Sequence, residues 1–122
     1  ARLGIFSNKV ADNVSPYSKP QECGNKTDVR WFTVSDSTGN GLKISAKSTV
    51  EFSALPYTSH ELENASHHYD LPNIHNTVLT INKVQMGVGG DDSWGAPTHS
   101  EYLIPSDKPL EFEFCIEAFN IV

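Results

Sequence analysis

The chain has 122 residues, of which 38% are hydrophobic, and it carries a formal net charge of −6 at pH 7. This length suits one domain or part of one, and it is sufficient to bury a core without metal or disulfide staples. The acidic balance, without a basic cluster, argues against nucleic acid and anionic membranes as partners, because both are bound through Lys and Arg patches. No apolar run in the sequence approaches the roughly 20 residues of a membrane-spanning helix.

The first part of the chain is predicted to be extended. It begins without a methionine or an apolar leader region, which predicts an expressed fragment or a processed chain. Residues 3–6 are compatible with a short strand. Residues 10–24 contain two prolines and many turn formers, which is typical of an extended surface segment. The β-branched and aromatic residues 29–34 predict a strand, and Trp31 within it is predicted to lie in the core.

The middle of the chain contains a hairpin signal and one helix candidate. Gly39-Asn40-Gly41 is typical of a hairpin turn. Alternation of apolar and polar residues predicts a half-buried strand at 42–47, and a second short strand is predicted at 50–54. Residues 58–65 begin with Thr and Ser and carry acidic residues in the first turn, which is a capping-box pattern and predicts a helix.

Two more strands, at 77–88 and 110–119, complete the chain. Strand after strand with short turns predicts an all-β fold, an antiparallel β-sandwich, with one short helix around residues 58–65. Residues 1–122 are expected to form a single β-sandwich domain or part of one.

Cysteines and histidines give no clear catalytic or metal pattern. Cys23 and Cys115 are expected to be free thiols; a disulfide, the alternative, requires an oxidising compartment and close Cα atoms. A metal site needs ligands on one shared face, and the spacing of the five histidines does not provide one. The five are His60, His67, His68, His75 and His99.

The most distinctive segment is 86–95, MGVGGDDSWG. Its first glycines are interpreted as backbone requirements: Gly87, Gly89 and Gly90. The next three residues are expected to shape the loop through hydrogen bonds from side chain to backbone: Asp91, Asp92 and Ser93. Trp94 offers a flat apolar face with one N–H donor. Together they suggest a rigid loop carrying an aromatic platform, as on sugar-binding surfaces, although a plain turn followed by a core tryptophan is the alternative.

This segment, taken from Gln85 as QMGVGGDDSWG, closely resembles the active-site loop near the C-terminus of the large multidomain β-galactosidases of glycoside hydrolase family two. The resemblance continues through residues 96–105. Further matching segments occur in the same order upstream: 16–31, 41–44, 52–54 and 58–71. It therefore covers roughly residues 15–119 of the chain.

The resemblance implies that the chain is a C-terminal fragment of a larger bacterial β-galactosidase. The family's last domain is a large β-sandwich similar to galactose mutarotase, about twice this length, and the chain resembles its C-terminal half. The whole enzyme hydrolyses terminal β-D-galactosides with retention, using two glutamates in a separate barrel domain. The resemblance therefore implies no catalytic residue, metal or cofactor in this chain, and the fragment alone is expected to be inactive.

The resemblance also implies partners and one binding residue. Trp94 matches a family tryptophan that lines the pocket and stacks on the sugar, chiefly at the aglycone or acceptor side. The implied partners are galactose or a β-galactoside and the remaining domains of the parent enzyme. Unpaired sheet edges of a half-sandwich also allow a homo-oligomer. Two other functions stay open: a free-standing β-sandwich carbohydrate-binding module, and a structural sandwich in which the loop is only a turn.

Overall fold

The computed structural model describes residues 2–86, 91–92 and 94–120. In chain order its elements are β1 (Lys26–Ser35), β2 (Asn40–Leu55), α1 (Ser59–Asn64), β3 (Val78–Asn82) and β4 (Phe114–Asn120), with 3-10 turns at Val10–Asn13, His68–Asp70 and Ser100–Tyr102. The predicted all-β class with antiparallel sandwich architecture is confirmed, and α1 lies within the predicted helical segment. Within the described ranges, no helix has the length and apolar character needed to cross a membrane.

The chain divides into two compact units. The first unit contains Ala1–Lys26 and Phe52–Ile81, and the second contains Thr27–Glu51 and Asn82–Val122. Strand β2 contributes residues to both.

Strand β2 is the central strand of a four-stranded sheet and pairs with β1, β3 and β4. It is 16 residues long, whereas the sequence predicted two short strands at 42–47 and 50–54. The predicted break is wrong. Ser48 and Thr49, the polar residues that separate the two apolar patterns, are part of the strand and form no turn. A β-branched threonine is favourable in an extended strand, so the ladder continues through it.

The turn between β1 and β2 confirms the hairpin signal. The Asp36 carboxylate accepts hydrogen bonds from the backbone N–H groups of Thr38 (2.8 Å) and Asn40 (3.0 Å) and from the Thr38 hydroxyl (2.7 Å). Gly39 takes φ +88°, which glycine adopts without steric cost. These hydrogen bonds hold the pKa of Asp36 below its ordinary value of 3.8. The bond from the Thr38 side chain has the largest effect on this pKa, and the bonds from the backbone N–H groups have smaller effects.

Strands β2 and β4 are antiparallel, and their register places three apolar pairs on one face of the sheet and a charged pair on the other. The paired residues include Leu42 with Ala118, Lys43 with Glu117, Ile44 with Ile116 and Ala46 with Phe114. Because successive side chains point to opposite faces, the apolar pairs share one face and the charged pair lies on the other. Strand β4 begins four residues after the predicted position 110, and β3 ends at Asn82, because alternation in the sequence continues beyond the ladder. The last two residues of the strand predicted at 77–88 lie outside the described part of the chain.

In the second unit the buried core residues are Phe32, Ile44 and Val50, with exposures of 6%, 1% and 2%. Trp31 was predicted to be core, and this is wrong, since its side chain is 47% exposed. Neighbouring residues of a strand face opposite sides, so the burial of Phe32 directs Trp31 away from the core.

The first unit has its own small core and an irregular N-terminal segment. Its buried core residues are Ala54, Leu55, Leu62 and Ala65, and Pro20 and Pro56 are buried as well. The Asn13 side chain donates to the backbone oxygen of Ala54 (3.0 Å), which ties the predicted surface segment to the end of β2. Residues 3–6 do not form the strand considered from the sequence, and Leu3 is 93% exposed.

The start of α1 is a capping box, as the sequence predicted. The Thr58 hydroxyl oxygen accepts from the Glu61 backbone N–H (3.2 Å), and the Glu61 carboxylate accepts from the Thr58 backbone N–H (2.7 Å) and hydroxyl (2.9 Å). The bond from the Thr58 backbone is the largest influence that lowers the pKa of Glu61 from its ordinary value of 4.5. Leu62 in the same helix is buried and anchors it.

Replacing Glu61 with Gln is expected to lower the free energy of unfolding at about pH 7, by an amount that shrinks as the pH falls. The pKa of Glu61 is lower in the folded chain than in the unfolded chain. Its carboxylate therefore stabilises the fold above the unfolded-state pKa, and this contribution disappears as the pH falls through the folded-state value. Urea denaturation of both chains at a series of pH values measures the difference. A difference that does not narrow in acid would contradict the expectation.

Candidate functional site

The loop that the sequence singles out follows β3 and contains Trp94. Four of the residues predicted to shape it lie outside the described part of the chain: Gly87, Gly89, Gly90 and Ser93. Asp91, Asp92 and Trp94 are described, and all three belong to the second unit.

The Trp94 side chain is almost completely exposed. Its exposed fraction is 92%, twice the 47% of Trp31. Trp94 is therefore not part of the core of this chain. An indole is among the largest apolar side chains, and leaving it in water forgoes the free energy that burial would provide. Such a ring offers a flat apolar surface and one N–H donor to whatever covers it.

Asp92 organises the backbone around Trp94. One carboxylate oxygen of Asp92 accepts hydrogen bonds from the backbone N–H groups of Trp94 (2.8 Å) and Ala96 (3.3 Å). A side chain that accepts from the residue two positions ahead forms an Asx turn, which takes the place of a backbone turn. The two bonds tie the backbone N–H groups of Trp94 and Ala96 to the same carboxylate oxygen.

Gly95 separates these two hydrogen-bonded positions and takes a conformation that favours glycine. Its φ is +114°, which other residues rarely adopt, while the space around an added Cβ would be empty. Backbone conformation rather than crowding is thus the reason for glycine here. Two residues later Pro97 restricts φ through its ring, which further limits the loop.

Asp91 has a different partner from its neighbour. Its carboxylate lies 3.1 Å from Nε2 of His99, and both side chains are substantially exposed, 88% for Asp91 and 50% for His99. This contact joins two residues on either side of Trp94. The backbone oxygen of His99 also accepts from the Tyr102 N–H (2.9 Å), so His99 starts the 3-10 turn at Ser100–Tyr102.

The sequence did not identify His99 as part of this site. In the sequence His99 is only one of five histidines that could be tested as metal ligands, because a contact across eight residues of irregular chain leaves no periodic signal. The available signal was its position close behind a loop that contains two aspartates.

Three other histidines, His60, His67 and His68, have partners outside this loop. Nε2 of His68 lies 2.7 Å from the backbone oxygen of Tyr17, and Nε2 of His60 lies 3.0 Å from Nδ2 of Asn64. His67 stacks on Tyr69, with ring centroids 4.8 Å apart. In the part of the chain that the structure describes, no three His, Cys, Asp or Glu side chains come close enough to hold a metal ion. Both cysteines are free thiols.

Both carboxylates among the described loop residues are engaged in hydrogen bonds. Retaining glycoside hydrolysis uses two carboxyl groups about 5–5.5 Å apart, one as acid and base and the other as nucleophile. Asp92 is engaged with the backbone and Asp91 with His99, so each carboxylate has a structural partner. The Trp94 indole, in contrast, is an apolar group that is 92% exposed.

The fold and the loop define an all-β chain that presents an exposed tryptophan on a hydrogen-bonded loop. A family model described as "Beta galactosidase small chain" matches residues 1–116. The chain therefore belongs to the β-galactosidase small chain family.

Similar proteins carry matching names. A β-galactosidase of Halalkalibacterium halodurans is 52% identical over 117 residues, which cover 95% of this chain and 12% of the relative. A β-galactosidase of Priestia megaterium is 44% identical over 117 residues, 96% of this chain and 11% of the relative. A β-galactosidase small subunit of Latilactobacillus sakei is 39% identical over 112 residues, 83% of this chain and 35% of the relative. The chain thus spans only a small part of the length of these relatives.

Proposed function

We propose that the chain is a non-catalytic segment of a β-galactosidase and that it supplies Trp94 to the wall of the substrate pocket. Membership of the family supports the parent activity, and the small share of each relative that the chain covers supports a larger parent. The proposed role of the loop in binding substrate rests on a single observation, the 92% exposed Trp94 side chain next to the Asp92 turn. An exposed indole without a ligand or partner leaves apolar surface in water, which a sugar or another domain would cover.

The proposal includes the finer features implied by the resemblance. The parent is a glycoside hydrolase of family two, the chain is the C-terminal half of its last, mutarotase-like sandwich, and hydrolysis proceeds with retention. The catalytic glutamates lie in another domain, so this chain needs neither a metal nor a cofactor of its own. Its partners are the β-galactoside and the remaining domains of the enzyme.

Stacking of a sugar on Trp94 has a simple physical basis. One face of a pyranose presents a patch of C–H groups, and an aromatic ring has a negative face that attracts them. The Asp92 bonds and the Gly95 conformation hold the loop backbone before the ligand arrives. A site held in its bound geometry loses less conformational entropy on binding, which favours affinity.

A free-standing carbohydrate-binding module is the second candidate. It is favoured by the same exposure of Trp94, because the indole is open to solvent in this chain without any other domain. The module would hold a glycan weakly and would not depend on the rest of an enzyme.

Titration of the chain with galactose and lactose, followed by tryptophan fluorescence, separates the two candidates. For the segment of an enzyme we expect no saturable response, because the pocket is complete only in the parent, and no release of product from a chromogenic galactoside. Saturable binding that Trp94→Ala abolishes would favour the module instead. Trp31 remains in both chains and reports changes that are unrelated to Trp94. Product release by the chain alone would contradict its non-catalytic role.

A further inference from the structure

We infer that Asp91 and His99 are positioning residues for Trp94: their contact closes the loop around the tryptophan and holds the indole in its sugar-binding orientation. This inference rests on the proposed function of Trp94. The observation behind it is the 3.1 Å contact between the Asp91 carboxylate and Nε2 of His99, two residues that flank Trp94 in the chain.

The contact complements the Asp92 turn and does not duplicate it. Asp92 acts within the loop, where it binds the backbone N–H groups of Trp94 and Ala96. The Asp91 contact acts across the loop. Asp91 directly precedes Asp92, and its partner His99 directly precedes the 3-10 turn at Ser100–Tyr102. Adjacent carboxylates repel each other unless each has a partner, and here the two have separate partners.

His99 is suited to this role because it is fixed at its backbone as well as at its ring. Its backbone oxygen accepts from the Tyr102 N–H (2.9 Å), so the closing contact is anchored to a turn and not to free chain. A hydrogen bond between imidazole and carboxylate forms with the neutral ring, if Nε2 carries the proton, and strengthens when the ring is charged. Closing the loop in advance reduces the entropy lost when a sugar is stacked on Trp94.

The test is steady-state kinetics of the intact β-galactosidase that contains this chain, with lactose as substrate. We expect Asp91→Ala and His99→Ala each to raise KM by roughly threefold to tenfold with little change in kcat. Each variant loses one charge-assisted hydrogen bond, and this bond stabilises the ground state and the transition state equally. His99→Gln keeps a side-chain N–H donor and should restore most of the affinity. His67→Ala removes the comparable contact of His67 with Asp70 (3.5 Å) in the first unit and serves as the matched control, with KM unchanged.

Combination with Trp94→Ala decides whether the pair acts through the tryptophan. The double variant Trp94→Ala/His99→Ala should have the same KM as Trp94→Ala alone, because His99 has nothing left to position. Additive effects would overturn the inference, as would an unchanged KM in both Asp91→Ala and His99→Ala while Trp94→Ala is impaired. If Trp94→Ala itself has no effect, the proposed function fails and the inference fails with it. Thermal denaturation of each variant identifies a loss of activity that is caused by unfolding. If unfolding explains the loss in His99→Ala, the decisive comparison is between His99→Gln and wild type. A Gln variant as impaired as the Ala variant overturns the inference.

Discussion

Trp94→Ala is expected to lower kcat/KM of the intact β-galactosidase by about tenfold to a hundredfold. Tryptophans that cover a ligand are frequent hot spots, worth about 2 kcal/mol or more, and each 1.4 kcal/mol corresponds to about tenfold in rate. The indole of Trp94 is 92% exposed, so its deletion removes exposed surface and leaves no cavity in this chain. Trp94→Phe keeps an aromatic face and should lose less than the alanine variant.

Trp31→Ala is the matched control for Trp94→Ala. It deletes the same side chain from β1 in the same unit, at a position 47% exposed and without the loop geometry of Asp92. We expect it to change kcat/KM by less than about twofold, whatever it does to stability. Equal losses in the two variants would indicate a general structural effect and would contradict a specific role of Trp94.

Ile44→Ala is expected to lower the free energy of unfolding by about 2–5 kcal/mol. The Ile44 side chain is 1% exposed in the centre of the sheet, so truncation loses transfer free energy and leaves a cavity. Urea denaturation of the chain measures the change, with the midpoint and the slope analysed separately.

Ile116→Ala provides the comparison, because Ile116 lies directly opposite Ile44 in the β2–β4 register and is 56% exposed. The same methyl groups are deleted from the same face of the same sheet, but from a position that water already reaches. We expect a loss well below that of Ile44→Ala, of about 1 kcal/mol or less. Similar losses at the two positions would contradict the burial that the structure assigns to β2.

Local signals in the sequence predicted much of the fold. The capping box at Thr58 and Glu61 and the turn at Gly39 depend on residues within four positions, and such patterns have a direct physical cause. The face on which Trp31 lies could not be predicted this way, because alternation fixes the period of a strand but not which phase is buried. The continuity of β2 through Ser48 and Thr49 likewise depends on partner strands distant in sequence.

The candidate site was predicted in part. Trp94 and the two aspartates stood out because of their unusual residue types, and the predicted hydrogen bonding of a side chain to the backbone occurs at Asp92. The partner of Asp91 was not predicted. Its contact with His99 closes eight residues of irregular chain, and loop closure of this kind follows from the path of the backbone, which has no sequence period.

A structure of the intact β-galactosidase with a bound galactoside tests the central claim most directly. The account predicts that the Trp94 indole lies flat against the C–H face of the sugar or its aglycone, with carbon atoms in contact at about 4 Å. It also predicts that Asp92 keeps its bonds to the backbone and that neither Asp91 nor Asp92 acts at the scissile bond. A Trp94 side chain buried against another domain, away from the bound galactoside, would contradict the account.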